Sequence, residues 1–242
     1  MLKNLIKRIP IVNDWHRRLD NLNERTAFVK RELLALPEGK IILDAGCGSQ
    51  QFKPFCTHLH YKAQDFGQYV VDDKKMIGNS SGIGGKAGYK YGELDYMGDI
   101  WKIDEKDKLF DAILCTEVFE HIPYPIETIK EFSRLLKKGG KLVLTAPANC
   151  LRHMDPYFFY SGFSDRWYEK FLPEYRLEIL SIETVGDYYS WLGVEMARTA
   201  RVNSFFAKMI LFPAFVYFFS KQPTTKSINT LCMGYHIVAE KI

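Results

Sequence analysis

The most constraining stretch of the chain is Lys40 to Ser49, KIILDAGCGS, where a short apolar run ends in an acid and passes straight into a glycine-spaced turn. From Ile41 to Leu43 the run leaves no side for water, which suits a strand buried on both faces of a parallel sheet. The glycines allow a tight reversal and close approach of the backbone to a ligand. Upstream, Leu19, Leu22, Thr26, Val29, Leu33 and Leu36 recur at helical spacing until Pro37 and Gly39 close the pattern, so a helix leads into this strand.

The same alternation continues downstream. Extended segments are expected at Tyr61 to Asp65, Leu94 to Met97, Phe110 to Thr116 and Lys141 to Ala146, the last closed by Pro147, with a glycine-rich loop from Gly78 to Gly92. Ile126 to Leu136 reads as a helix with Ile129, Phe132, Leu135 and Leu136 on its inner face and Gly139 and Gly140 as its stop. Leu177 to Val185 and Tyr235 to Glu240 read as two later strands. Strands alternating with helices predict an α/β fold, a doubly wound, mostly parallel sheet with helices on both faces. A length of 242 residues suits a single domain over 1–242, with an N-terminal helical extension over 1–36 and a helical apolar insertion over 187–230 before the last strand.

With 47% hydrophobic and 26% charged residues the chain is neither disordered nor a polytopic membrane protein. A net charge of +4 is too small to imply a nucleic-acid partner without a basic stripe or an added recognition domain, and neither is visible. Cys47, Cys56, Cys115, Cys150 and Cys232 are odd in number and lack CxxC spacing, so no disulfide framework and no metal are expected, and the reducing cytoplasm is the expected compartment. Met1 to Pro10 alternates Lys3, Lys7 and Arg8 with apolar residues but lacks the long apolar core of a secretory signal. It reads as a short basic amphipathic helix, lying on a membrane surface or packed on the domain.

The dinucleotide fingerprint requires a third glycine where this chain has Gln51, which disfavours NAD. LDAGCGS after a strand instead resembles the glycine motif of class I S-adenosylmethionine-dependent methyltransferases, which share a Rossmann-like fold. The resemblance continues through GDI at Gly98 to Ile100, FDAILCTEVFEHI at Phe110 to Ile122 and RLLKKGGKLVLTAP at Arg134 to Pro147, in family order over Ile41 to Pro147. It departs at Gln50, where the family usually carries another glycine.

By that resemblance the cofactor is S-adenosylmethionine, and Gly46, Gly48 and Ser49 form the turn that meets its methionine and ribose portion, with Asp44 stabilising the turn. Asp65 accepts from the ribose hydroxyls, Asp99 and Ile100 address the adenine, and Thr116 and Glu117 offer backbone contacts to the amino acid portion. The implied activity is transfer of a methyl group to a small-molecule, glycan or lipid-linked acceptor. Two alternatives stand beside it: a catalytically inactive binding scaffold, and an RNA or protein methyltransferase. Displacement at a sulfonium carbon needs alignment and exclusion of water more than a dedicated catalytic group. Where the acceptor is a hydroxyl, a histidine base would help, and His121 and His153 are the candidates, with Tyr157 and Tyr160 able to orient the acceptor.

Phe205 to Phe219 (FFAKMILFPAFVYFF) is apolar on every side, interrupted only by Lys208 and by Pro213, which would kink one helix or begin another. Its fifteen or so residues fall short of the roughly twenty needed to span a bilayer. Peripheral contact with the inner face of a membrane is expected, helped by Arg198, Arg201, Lys208 and Lys221, with a homodimer contact or pocket cover, or a plain core helix, as the alternatives.

Overall fold

The computed structural model describes Arg18, residues 21–68 and residues 91–242. The helix expected over Met1 to Pro10 and nearly all of the loop expected from Gly78 to Gly92 lie outside them. Seven strands, β1 (Ile41–Ala45), β2 (His60–Asp65), β3 (Tyr96–Met97), β4 (Phe110–Thr116), β5 (Leu136–Pro147), β6 (Leu177–Val185) and β7 (Gly234–Lys241), form one sheet in the order β3-β2-β1-β4-β5-β7-β6. Neighbours from β3 to β5 are parallel, and β7 runs antiparallel between β5 and β6. The sheet is therefore mostly parallel and doubly wound, as the strand and helix alternation predicts.

The two-residue period of the strands divides the core. Leu43, Ala45, Ile113, Cys115, Leu142 and Leu144 face one side, against Ile129, Phe132 and Leu135 of α2 (Pro125–Leu135) and Tyr168 and Leu172 of α3 (Asp165–Glu174). Ile42, Ala112, Leu114, Val143 and Val238 face the other, against Phe28, Val29 and Leu33 of α1 (Leu22–Leu34). Helices thus cover both faces, and the central strands β1 and β4 are buried along nearly their whole length.

Two local expectations are corrected. Gly139 and Gly140 do not stop α2, which ends at Leu135 and passes directly into β5 at Leu136. The glycines sit instead in a register break, where β4 advances from Phe110 to Ala112 while β5 advances from Leu136 to Lys141, and Gly139 takes φ +76°. Pro213 does not begin a second helix but lies inside one. After α4 (Tyr188–Val202), α5 runs unbroken from Phe205 to Ser220, and α6 (Thr225–Thr230) returns the chain to β7. Gly193 of α4 makes the α4–α5 contact possible, since a Cβ there would lie 2.0 Å from the Phe219 ring. The five cysteines form no disulfide.

His236 of β7 pairs with Thr145 and stacks on Phe28 with ring centroids 4.7 Å apart. Burial, at 6% exposure, lowers its pKa to about 4, so the folded chain resists a proton that the unfolded chain accepts near pH 6.5. Stability from this site is full above the unfolded value and falls as the pH drops toward the folded one. Replacing His236 with Phe should therefore make the acid-induced loss of stability smaller by roughly 1–3 kcal/mol between about pH 7 and pH 4. Urea unfolding of both proteins across that range checks this, and equal losses would show that the ring is solvated.

Candidate active site

In this sheet the order reverses between β1 and β4, and the crevice beyond the carboxyl ends of such strands is where open α/β sheets bind ligands. A cavity of about 460 Å³ lies there. Gly46, Gly48, Ser49, Asp65, Asp99, Ile100, Thr116, Glu117 and His121 all line it, although they come from four separate loops. Asp44, His153 and Tyr160 do not reach its wall.

The turn after β1 is held by β2. Gly46 and Cys47 donate their amides to the Gln64 carbonyl at 2.9 and 3.0 Å, and Gly48 donates to Asp65 Oδ2 at 2.9 Å. Gly67 donates to Asp65 Oδ1 at 3.2 Å, so each oxygen of that carboxylate holds one backbone amide and keeps further acceptor capacity. Burial raises the Asp65 pKa, and these amides oppose the rise. Gly46 has φ +72°, and a Cβ on it would lie 2.5 Å from Val118 Cγ2, so the position excludes side chains. Gln50, at the departure from the family pattern, adopts the left-handed conformation a glycine would take, with φ +57°. It is anchored by its amide donating to the Glu93 carbonyl at 2.5 Å.

Asp44 is buried behind the turn and accepts from Tyr61 Oη at 2.5 Å. Burial pushes its carboxyl up to about 7, with the nearby Asp65 adding to the rise and Tyr61 opposing it. On the second rim, Asp99 is exposed beside buried Ile100, and Gln64 Nε2 ties this turn to β2 by donating to the Gly98 carbonyl at 2.7 Å. Beyond β4, Glu117 takes φ +53°, donates its amide to the Thr145 carbonyl and accepts from Thr145 Oγ1 at 3.0 Å. Arg25 of α1 closes an ion pair with its Oε2 at 2.9 Å.

The other end of the cavity is built on the turn Phe119 to His121. Phe159 and Tyr160 donate their amides to the Glu120 carbonyl at 2.9 and 3.2 Å, which folds the segment after β5 over the site. That brings Met154, Tyr157 and Phe159 to the wall, where Tyr157 meets Phe66 edge-on at 4.8 Å. His121 Nδ1 lies 2.6 Å from the Tyr157 carbonyl, and burial lowers its pKa to about 4. His153 packs edge-on against it, with ring centroids 4.6 Å apart. Tyr160 turns away, donating its hydroxyl to the Pro123 carbonyl at 3.2 Å. Burial pushes Glu120 up to about 8, and neighbouring Glu117 adds to it.

The sequence reading misses Arg25, Gln64, Phe66, Trp101, Met154 and Phe159 of this wall. For Gln64 a signal exists, since it directly precedes Asp65 at the carboxyl end of β2. For Arg25 none does, since it looks like any cation on a surface helix.

Residues 15–178 match the family described as a methyltransferase domain. A ubiquinone biosynthesis O-methyltransferase of Xanthomonas oryzae pv. oryzae (strain PXO99A) is 30% identical over 109 residues, 44% of this chain and 43% of that protein. The match therefore spans less than half the length of that curated relative. Among solved structures, a provisionally named methyltransferase of Bacillus halodurans C-125 aligns with TM-score 0.53 at 16% identity, covering 90% of this chain and 99% of the other. Phosphoethanolamine N-methyltransferase 2 of Haemonchus contortus, in complex with S-adenosyl-L-methionine, aligns with TM-score 0.53 at 14% identity, covering 100% of this chain and 60% of the other. These two likenesses concern the fold.

Proposed function

Since the chain belongs to the methyltransferase-domain family that its residues 15–178 match, we propose that the whole of 1–242 is one S-adenosylmethionine-dependent methyltransferase acting on a hydroxyl of a small, partly apolar acceptor. One observation carries this reading: a single cavity joins the glycine turn and Asp65 at one end to His121 and the aromatic wall at the other. Its volume of about 460 Å³ lies in the range of small-ligand sites, roughly 300–1,000 Å³.

The residues present fit the cofactor. Gly46 has no room for a side chain, so only backbone fronts the cavity there, and Asp65 offers acceptors alone to a pair of hydroxyls. Ile100 gives a flat ring an apolar surface, and Asp99 beside it accepts from an exocyclic amine. When bound, the cofactor supplies an electrophilic methyl group. The chain contributes alignment and dryness: Tyr157, Met154 and Phe159 cover the acceptor end, and His121 lines it with them. The relative named as an O-methyltransferase of ubiquinone biosynthesis supports a small-molecule acceptor methylated on oxygen.

For α5 the reading is a lipid surface. Phe205, Phe206, Met209, Ile210, Phe212 and Tyr217 are 55–75% exposed, while Leu211, Phe215 and Phe219 turn inward. Lys208 is exposed on the same helix, which suits anionic headgroups. No helix among the described residues is long and apolar enough to cross a membrane, so attachment would be peripheral. Each large side chain buried in lipid contributes about 1.5–3 kcal/mol and each nearby cation about 1 kcal/mol, enough for reversible binding.

Two measurements follow. Calorimetry should detect S-adenosylmethionine binding and no NAD binding, and Asp65→Ala should weaken the former by roughly 1–3 kcal/mol while the fold survives. Tight NAD binding with no response to S-adenosylmethionine would overturn the assignment. In flotation with anionic vesicles the wild type should rise, and the double variant Phe206→Glu, Ile210→Glu should stay behind while still binding cofactor. A wild type that stays below as a stable dimer, with a monomeric variant, would make this face a subunit interface instead.

A further inference from the structure

Beside the acceptor end of the cavity, Glu120, His121 and His153 each offer one ligand atom, and these atoms all lie within 4.8 Å of one another. Glu120 is 1% exposed, and its Oε2 has no hydrogen-bond partner. The Oε1 lies 3.6 Å from His121 Nε2, too far for a hydrogen bond. An unmatched carboxyl oxygen in so dry a place is matched either by a proton or by a cation.

The two imidazoles are set up in the same way. Each has Nδ1 against a backbone carbonyl, His121 on Tyr157 at 2.6 Å and His153 on Leu151 at 2.8 Å. A carbonyl only accepts, so each Nδ1 carries the proton and each Nε2 keeps its lone pair. That is the outer hydrogen bond which typically orients a metal-binding histidine. The neighbouring acid Glu117 is already engaged by Arg25 and Thr145, so it does not compete for the site.

We propose that Glu120, His121 and His153 bind one divalent transition-metal ion of the zinc class at the acceptor end of the cavity. Two imidazole nitrogens and one carboxylate oxygen favour such an ion over magnesium or calcium, which prefer oxygen ligands throughout. Three protein ligands leave a coordination position open, and of the three His121 lines the cavity, so an acceptor bound there would lie beside the ion. There the ion would hold an acceptor hydroxyl and lower its pKa, releasing the proton to solvent, a role that rests on the methyl-transfer reading above. The binding itself does not depend on that reading.

The test uses the full-length protein, stripped with chelator, loaded with one equivalent of Zn²⁺ or Co²⁺ and desalted. The expected result is one retained ion per chain, with a cobalt visible spectrum lacking the sulfur charge-transfer band that any cysteine ligand would give. His153→Gln and Glu120→Gln should each lower the affinity at least tenfold, while His153→Gln unfolds as cooperatively as the wild type. Retention of no ion by the wild type, retention by both variants at wild-type affinity, or a thiolate band would each overturn the proposal. Calorimetry with S-adenosylmethionine on the same samples reads the methyltransferase assignment separately, so a failure of either is recognised as its own.

Discussion

The contact between the Gly48 amide and Asp65 Oδ2 exists because β1 and β2 run parallel in register and end together, Ala45 beside Gln64. A parallel pair cannot be joined by a tight turn, so everything between its strands must travel round the outside and return. The carboxyl ends of β1, β2 and β4 therefore become one rim, and residues far apart in the chain meet on it. Arg25 reaches Glu117 across that rim from the helix preceding β1. The glycines serve the same geometry, since a chain leaving a buried strand must turn sharply before it meets α2 or the loops above it.

Legibility follows burial. The strand Phe110 to Thr116 is readable to both its ends because a run with no exposed side has no reason to be anything but a central strand. The start of β5 is not, because Lys137, Lys138, Gly139 and Gly140 look like the end of a helix followed by a turn. Only the pairing of Leu136 with Phe110 makes that stretch part of the sheet. The cofactor end of the candidate site is legible for a related reason: its residues sit in contiguous motifs at strand ends, so local spacing carries the information.

The acceptor end has no such local record. Met154, Tyr157 and Phe159 come to the cavity because two amides of their segment bind the Glu120 carbonyl, a tertiary contact that no periodicity announces. Clustered aromatics in a loop look alike whether they line a site or pack a core, and Tyr160, three residues from Tyr157, does the latter. In α5 the difficulty is the opposite. Every face is apolar in sequence, so no stripe distinguishes inside from outside. The division arises where Gly193 admits the Phe219 ring, and the opposite face is left exposed.

Glu117 and Glu120 sit three residues apart beyond the same strand and meet opposite environments. Glu117 has a guanidinium and a hydroxyl on its two oxygens, the usual settlement for a carboxylate at a site's edge. Glu120 is more deeply buried and has neither; what faces it is a pair of imidazoles whose protons are committed to backbone carbonyls. Imidazoles so arranged offer lone pairs, and a lone pair does nothing for a carboxylate. Either a proton on the carboxyl, which its burial favours, or a cation between the three groups would match them. The fold nevertheless brings His153 across more than thirty residues of sequence to stand against His121. A cluster assembled from two segments, with both imidazole Nδ1 atoms set on backbone carbonyls and a buried carboxyl oxygen left without a partner, is what a bound cation would complete.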